Sequence, residues 1–322
     1  MREAVIVSYA RTGLAKAGRG GFNITPPMTM AAHAIKHAVA KSGVEHDFVD
    51  DSLIGNVAHG APNIGRNAAL LAGLPKTTAG ATINRFCSSG MQAIAMAANH
   101  IRGDGADCVV AGGVESISMQ GPRAPEGTID EEILKIAPAI FMPMIETADI
   151  VAERYNISRE YQDEYSLQSQ QRMAAAQEAG LFADEIVPMQ TRMKLVDKET
   201  KEESIVDYTV DRDECNRPGT TLEGLAKLQP VMGEGKYITA GNASQLSDGA
   251  AAVLLMEAKE AERRGLEPLG RFVSWAVAGC EPDEMGIGPV FAVPKLLERQ
   301  GLTVDDIDIW ELNEAFASQC LY

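Results

Sequence analysis

The stretch TINRFCSSGMQAIAMAANHI, residues 82–101, combines a short strand-like run, a polar turn and a long apolar run. Cys87 leads into a turn of Ser88, Ser89 and Gly90, and alanine, methionine and isoleucine follow. This pattern predicts a helix from about Ser89 to Ile101. Because the helix is apolar nearly all round, we expect it to be buried on every side. A strand joined tightly to a buried helix is the repeating unit of an α/β fold.

Strand-like and helical runs alternate on both sides of that stretch. The strand-like runs are AVIVSYA, DSLIGNVA, GATIN, DCVVAGG, AAAVLLM, RFVSWAVAG and DIDIWELN. Helices are predicted over TMAAHAIKHAVAKSG, ending at Gly43, and from an N-cap at Ser158 to Gly180. This alternation predicts an α/β fold with a mainly parallel sheet. Residues 116–246 differ, because GPRAPEGTIDEE and VDKETKEESIVDYTVDRDECNRPG are charged and rich in turn formers, which is typical of an inserted loop domain.

An internal repeat divides the rest of the chain. VSYARTG at residues 7–13 is similar to VSWAVAG at residues 273–279, and DDSLIGNVA is similar to DDIDIWELNEAFA. Both copies run strand, helix, acidic turn and strand, which predicts two related αβ halves, with chance similarity of short strands as the alternative. The second copy ends inside EAFASQCLY without a helix stop signal, so we expect it to be incomplete. The predicted domains are 1–115 with 247–268, the insertion 116–246, and 269–322.

Composition excludes several classes of function. The 322 residues hold 29 basic and 45 acidic side chains, a net charge of −16, which argues against general affinity for nucleic acid or anionic membrane. No apolar run approaches the ~20 residues of a membrane span. Five cysteines without paired spacing predict a reducing, cytoplasmic location, and the absence of metal-type Cys and His pairs predicts no metal site.

Cys87 is the candidate nucleophile. A thiol at the start of a helix lies among backbone N–H groups that stabilise an anion, and these groups can also stabilise an oxyanion on a carbon bound to the sulfur. The alternative is that Cys87 is a small apolar residue at a strand end. For Cys108 and Cys280, which lie in or beside apolar strand runs, that alternative is preferred.

Four segments resemble the motifs of the thiolase family, the acetyl-CoA acetyltransferases and 3-ketoacyl-CoA thiolases, in the order found in that family. They are NRFCSSGMQAI at 84–94, ITAGNASQLSDGAAAVLLM at 238–256, MGIGPV at 285–290 and WELNEAFA at 310–317. The resemblance covers the whole chain. It implies two duplicated αβ halves with mixed sheets packed in layers, an inserted loop domain for coenzyme A, and a homodimer or a dimer of dimers.

The resemblance also implies a mechanism. Cys87 would attack the 3-keto carbon of a 3-oxoacyl-CoA, release acetyl-CoA and pass its acyl group to coenzyme A, a co-substrate, with no permanently bound cofactor. Asn313 would hold a water that stabilises the enolate, and the Cys87 N–H would stabilise the tetrahedral oxyanion. Gly241 and Ala243 would allow close approach of the pantetheine arm. The residues expected to contact substrate or coenzyme A are Ala240 and Ser244 at the pantetheine arm, Arg217 at the nucleotide, and Met144, Met285, Ala315 and Phe316 along the thioester channel.

Two family motifs are missing from these 322 residues. The histidine of a GHP segment, which activates the nucleophile, and the second cysteine of a CxGGG segment have no counterpart in the sequence, and Cys320 follows a different motif. We therefore expect little turnover from the chain as it stands. One alternative function is non-catalytic binding of acyl-CoA. A less favoured one is that of a ketoacyl synthase relative working on carrier-bound acyl groups.

Overall fold

The computed structural model of the chain describes residues 2–58, 62–120, 127 and 129–322, so most of the GPRAPEG segment lies outside the described residues. The chain forms two compact units. Unit 1 comprises Met1–Arg123, Leu181–Cys215 and Leu246–Val273, and unit 2 comprises Ala124–Gly180, Asn216–Gln245 and Ser274–Tyr322. The division into three domains made from the sequence stays a prediction. None of the described helices is both long and apolar enough to cross a membrane.

Unit 1 is built on one large mixed sheet. Its strands are β1 (Ala4–Arg11), β2 (Ala15–Lys16), β3 (Asp51–Gly55), β4 (Ala81–Ile83), β5 (Cys108–Glu115), β8 (Ser247–Glu257) and β9 (Gly270–Arg271). The order is β4-β3-β5-β8-β1-β9, with β2 beside β8. Strand β3 pairs in parallel with β4 and β5, whereas every pairing of β8 and β9 is antiparallel. The expected mainly parallel sheet was wrong, and the mixed sheet implied by the family resemblance is confirmed.

Helices cover both faces of this sheet. They are α1 (Pro27–Ser42), α2 (Ile64–Leu71) and α3 (Ser89–Asn99), with α8 (Ala258–Arg263) after β8. Alternate residues of β5 enter opposite cores: Val110 packs in the core that holds α1 and α2, and Val109 packs in the core that holds α3. Side chains of a strand alternate between faces, so both faces of the sheet are apolar and three layers result. The predicted end of α1 is confirmed, since Gly43 adopts a left-handed conformation at its C-terminus.

Helix α3 is not buried on every side, so that expectation was wrong. Its alanine face, formed by Ala93 and Ala97, packs against the sheet with no exposed surface. Met91 and Met96 on the opposite side are 59% and 42% exposed. Alanine and methionine count alike in an apolar pattern, but only the alanines are small enough to bring the helix close to β3 and β5.

A hairpin in unit 1 was not predicted. Strands β6 (Met189–Val196) and β7 (Glu203–Val210) pair antiparallel within the segment that was read as charged and turn-rich. Met189 and Val210, at the end of the hairpin, are buried in the core with α1. Most of its other side chains are at least partly exposed, so the sequence shows little alternation between apolar and polar residues.

Unit 2 is mainly helical. Its helices are α4 (Glu131–Ile136), α5 (Met144–Arg154), α6 (Arg159–Glu178), α7 (Leu222–Ala226), α9 (Gly288–Gln300) and α10 (Ala317–Leu321). The predicted N-cap of α6 is confirmed, because the Ser158 hydroxyl accepts a hydrogen bond from the Tyr161 N–H at 3.1 Å.

The helical part of the internal repeat is present, and its strands are mostly not. Helices α1 and α9 both end at a left-handed glycine, Gly43 and Gly301, and a 3-10 turn follows each of them. The second copy was predicted to contain strands at 271–279 and 306–313. Only Arg271 lies in a strand, β9 (Gly270–Arg271), and residues 272–280 and 307–314 adopt no strand. A strand requires another strand to pair with, and within the described chain no strand pairs with residues 272–280 or 307–314.

Candidate active site

Cys87 lies in a tight turn between β4 and α3, residues 84–88, which we call the Cys87 turn. Phe86 adopts a left-handed conformation with φ of 48°, which is unfavourable for a residue with a Cβ atom. Hydrogen bonds hold the turn in this shape: the Arg85 N–H donates to the Ser89 hydroxyl at 2.8 Å, and the Ser88 hydroxyl donates to the Arg85 carbonyl at 2.9 Å. The sequence showed the turn but not the strained residue before the cysteine.

The turn exposes Cys87 at the start of α3. Ser88 occupies the N-cap position of α3 but makes no side-chain cap hydrogen bond, so no hydroxyl competes there for the first N–H groups of the helix. The other thiols differ. Burial raises the pKa of Cys108 to about 12, and burial is also the main cause of the raised pKa values of Cys215, Cys280 and Cys320. Cys87 is therefore the one exposed thiol of the five, since Cys215, Cys280 and Cys320 are partly buried, and the buried position predicted for Cys108 is confirmed.

A layer of glycines supports the Cys87 turn from beneath. Gly55 ends β3, Gly113 lies beside it in β5, and Gly90 begins α3. A Cβ atom on Gly55 would lie 2.6 Å from the Gly90 nitrogen, and one on Gly113 would lie 3.4 Å from the Gly90 Cα. The absence of side chains lets the helix start approach the sheet backbone, and this close approach sets the height of the thiol above the sheet.

In unit 2, the predicted coenzyme A loop is joined to the segment that carries Asn313. The Ser244 N–H donates to the Ala315 carbonyl at 2.9 Å, and the Ala317 N–H donates to the Asn242 carbonyl at 2.9 Å. A bridge of antiparallel type connects Ala243 with Phe316. Two segments more than 70 residues apart in the chain therefore share one short ladder, and four of the predicted site residues, Ala240, Ser244, Ala315 and Phe316, lie in or beside it.

The loop at 239–242 is shaped by a buried polar network. The Asn242 side chain accepts a hydrogen bond from the Thr239 N–H at 2.8 Å and donates to Asp163 at 3.3 Å. Asp163 in turn pairs with Arg159 at 2.8 Å, and both residues lie on α6. Sequence reasoning missed these three residues, because a buried asparagine and a buried aspartate look like ordinary polar residues until a helix distant in the chain supplies the partner.

The space beside Gly241 is occupied. A Cβ atom there would lie 2.5 Å from the Leu225 side chain and 2.7 Å from that of Leu228. The absence of a side chain at Gly241 lets two leucines of its own unit pack against the loop. Ala240 and Ser244 remain exposed on the loop.

The other predicted residues of unit 2 lie on elements that pack together or on an exposed turn. Met144 begins α5, and Met285 lies in a 3-10 segment, Pro282–Ile287, that packs against α5 and α10.

Arg217 is exposed; its N–H donates to Gln170 of α6 at 2.6 Å, and its guanidinium forms no ion pair within the described part of the chain. Because the backbone of Arg217 is held and its guanidinium has no partner there, the guanidinium can bind a phosphate. The described residues contain no cluster of three or more His, Cys, Asp or Glu arranged to hold a metal ion.

Comparisons with known proteins agree on one family. Residues 4–259 match the family model described as Thiolase, N-terminal domain, and residues 266–322 match Thiolase, C-terminal domain. The chain is 45% identical to the peroxisomal 3-ketoacyl-CoA thiolase A of Mus musculus, over 99% of this chain and 75% of that protein. It is 41% identical to the 3-ketoacyl-CoA thiolase of Bacillus subtilis, over 100% and 83%. The crystal structure of the Bacillus anthracis acetyl-CoA acetyltransferase matches with a TM-score of 0.86 at 39% identity, over 100% of this chain and 82% of that one.

Proposed function

The chain belongs to the thiolase family of acyltransferases, and from that membership we propose that it acts on 3-oxoacyl-CoA and coenzyme A through a thioester on Cys87. The observation that carries the proposal is the exposed thiol in a strained, hydrogen-bonded turn at the start of α3. Strain in a backbone persists only where surrounding contacts maintain it, and such strain clusters at functional sites.

In the degradative direction, the Cys87 sulfur attacks the 3-keto carbon and the bond between carbons 2 and 3 breaks. The electron pair of that bond passes to the enolate of acetyl-CoA, which then takes up a proton. A water held by Asn313 stabilises the enolate oxygen, and the Cys87 N–H stabilises the oxyanion of the tetrahedral intermediates. Coenzyme A thiolate then attacks the thioester, releasing the shortened acyl-CoA and free Cys87. The reverse sequence is a Claisen condensation of two acyl-CoA molecules.

Unit 2 supplies the proposed contacts to coenzyme A. Arg217 has an exposed guanidinium for the nucleotide phosphates, and Ala240 and Ser244 present exposed positions to the pantetheine arm. Met144, Met285, Ala315 and Phe316 provide the apolar lining for the thioester end. Replacing Arg217 by alanine is expected to weaken coenzyme A binding without changing how Cys87 reacts with a small thiol reagent.

We also propose that the 322-residue chain turns over slowly. Its sequence contains neither a GHP nor a CxGGG segment, so neither the histidine that activates the nucleophile nor the second cysteine is present. Cys87 is then expected to become acylated once. The acyl group is expected to leave Cys87 slowly, so repeated turnover is slow.

Intact-mass spectrometry tests this function. The chain is incubated with acetyl-CoA and compared with a Cys87→Ser variant. A gain of one acetyl group in the parent chain only, mapped to the peptide that holds Cys87, supports the thiolase chemistry. Binding of acetyl-CoA by both proteins with no covalent product would favour the rival function, a non-catalytic acyl-CoA-binding protein. Acylation from a carrier-protein thioester, but not from acetyl-CoA, would favour a ketoacyl synthase relative.

The proposed location is a reducing compartment, and the proposed assembly is a homo-oligomer. An unpaired set of five cysteines supports a reducing compartment such as the cytoplasm, although the name of the mouse relative places that protein in the peroxisome. Exposed Phe86, Met91 and Met96 on and beside α3 support a homo-oligomer that covers them. Light scattering of the parent chain and of a Met91→Lys variant tests the oligomer, and the variant is expected to dissociate at higher concentration.

A further inference from the structure

The segment at residues 313–316 must be held in place by its neighbours. Residues 311–314 form neither helix nor strand, and α10 begins only at Ala317. One side of the segment is held by the ladder to the loop at 242–244. An irregular segment that presents a catalytic group requires further contacts, because misplacement by about 1 Å can reduce a rate by about a hundredfold.

Helix α6 provides a second anchor, at Glu314. The Tyr165 hydroxyl donates to one carboxylate oxygen at 2.7 Å, and the Ser169 hydroxyl donates to the other at 2.7 Å. Tyr165 and Ser169 are four residues apart, so they lie on one face of the helix and grip both oxygens at once. Hydrogen bonds from a hydroxyl to a carboxylate are charge-assisted and stronger than those between neutral groups.

The protonation of Tyr165 suits this role. Burial and then the hydrogen bond to Glu314 raise the pKa of the Tyr165 phenol, so the hydroxyl stays a donor across the physiological range. Tyr161, one turn earlier on the same helix, is exposed, and its hydroxyl makes no hydrogen bond with the described part of the chain. The contact to Glu314 is therefore specific to Tyr165 and not a general property of the helix surface.

Asn313 itself is held only through its backbone. Its carbonyl receives the Cys320 thiol at 3.8 Å, and its exposed side-chain amide forms no hydrogen bond within the described residues. The amide is thus free to bind a water, while the direction in which it points depends on the backbone at 313 and 314. We propose that Tyr165 and Ser169 are positioning residues that act through Glu314 to orient the Asn313 amide for enolate stabilisation.

This inference rests on the proposed function, because it assigns Asn313 to the enolate step. That step is separable from acylation of Cys87 by acetyl-CoA, which breaks no carbon–carbon bond and forms no enolate. A defect in positioning therefore slows cleavage of acetoacetyl-CoA and leaves acetylation of Cys87 by acetyl-CoA unchanged. A loss of the fold slows both reactions.

The test compares Tyr165→Phe and Ser169→Ala with the control Tyr161→Phe. Single-turnover cleavage of acetoacetyl-CoA and acetylation of Cys87 are measured on each full chain, together with thermal unfolding. Each positioning variant is expected to slow cleavage about tenfold, with acetylation and unfolding like those of the control. The double variant Tyr165→Phe with Asn313→Ala should cleave acetoacetyl-CoA at the same rate as Asn313→Ala alone. Ser169→Thr retains a hydroxyl and should keep most of the parent cleavage rate.

Several results would overturn the inference. Equal slowing of both reactions with a lowered unfolding temperature would make Tyr165 and Ser169 structural residues only, and unchanged cleavage in both variants would leave them without a role. If the parent chain neither cleaves acetoacetyl-CoA nor becomes acetylated at Cys87, the proposed function fails. Amide exchange and thiol alkylation, which need no substrate, then test whether Tyr165 holds the segment at residues 313–316. Tyr165→Phe should raise amide exchange at residues 313–316 and alkylation of Cys320 severalfold. Amide exchange and Cys320 alkylation equal to those of the parent chain would refute the positioning role of Tyr165.

Discussion

Replacing Gly55 by alanine would test whether the glycine layer sets the position of Cys87, the proposed nucleophile. The new Cβ atom would lie 2.6 Å from both the Gly90 nitrogen and the carbonyl carbon of Ser89, at least 0.8 Å inside the ordinary contact distance of 3.4 Å. Both atoms belong to the backbone, so no side-chain rotation can relieve the overlap. Gly55 is paired on both sides, with Ile83 and Gly113, so the start of α3 must move instead.

The cost can be estimated from similar overpacking. Forcing an extra methyl group into a filled core destabilises a protein by about 1–3 kcal/mol. Misplacement of a reacting group by about 1 Å can slow a reaction by about a hundredfold, so a shift of the Cys87 turn by several tenths of an ångström should slow acetylation of Cys87 by about tenfold or more. Two alanine variants with less overlap serve as controls. Gly113→Ala meets its nearest atom at 3.4 Å and should lose less stability, and Gly270→Ala meets nothing within 4 Å and should behave like the parent chain.

Urea unfolding measures the free energy of unfolding, and peptide mapping after iodoacetamide treatment and after incubation with acetyl-CoA measures the reactivity of Cys87. The expected order of both losses is Gly55→Ala, then Gly113→Ala, then Gly270→Ala. Should Gly55→Ala unfold and acetylate like Gly270→Ala, the close approach of α3 to β3 would have no bearing on the thiol, and the reasoning would be refuted.

Three further predictions concern the thiols, the coenzyme A loop and pH. Iodoacetamide should modify Cys87 first, because it is exposed while burial raises the pKa of the other four thiols; equal labelling of Cys108 would contradict this. Asn242→Ala should lose about 2–4 kcal/mol in urea unfolding and weaken coenzyme A binding in calorimetry, since it removes a partner from buried Asp163; parent-like affinity would argue against the loop's role. Burial lowers the pKa of His33 below its usual 6.5, so below that pH the unfolded chain binds a proton that the folded chain does not. Stability should therefore fall as pH drops through about 6.5, and His33→Gln should flatten that slope in urea unfolding; an unaltered slope would exclude His33 as its source.

Much of unit 1 was predictable because its signals are local. Strands β1, β3, β4, β5 and β8 are short apolar runs bounded by turn residues, and α1 has a helical period with a glycine stop. The hairpin β6–β7 was missed because exposed strands carry little hydrophobic alternation. The strands predicted at 271–279 and 306–313 did not form, apart from Arg271 in β9, for a different reason: an apolar run becomes a strand only when another strand pairs with it.

Features of the candidate site were also predictable only where they depend on neighbouring residues. The exposed position of Cys87 at a helix start could be predicted from its turn and from the motif around it, since that position depends on neighbouring residues. The strain at Phe86, the glycine layer and the Asn242–Asp163–Arg159 network could not be found, because each depends on a contact between distant parts of the chain. The packing of two leucines of unit 2 beside Gly241 could not be predicted for the same reason.

The sequence by itself determined the α/β class and the family, and it predicted Cys87 as the nucleophile, because motif and periodicity are properties of residues close together in the chain. Only the tertiary structure decided which face of α3 is buried, how closely its start approaches the sheet, and which helix holds Glu314 beside Asn313. These features depend on distances of a few ångströms between segments as much as 150 residues apart, and a linear pattern does not contain such distances.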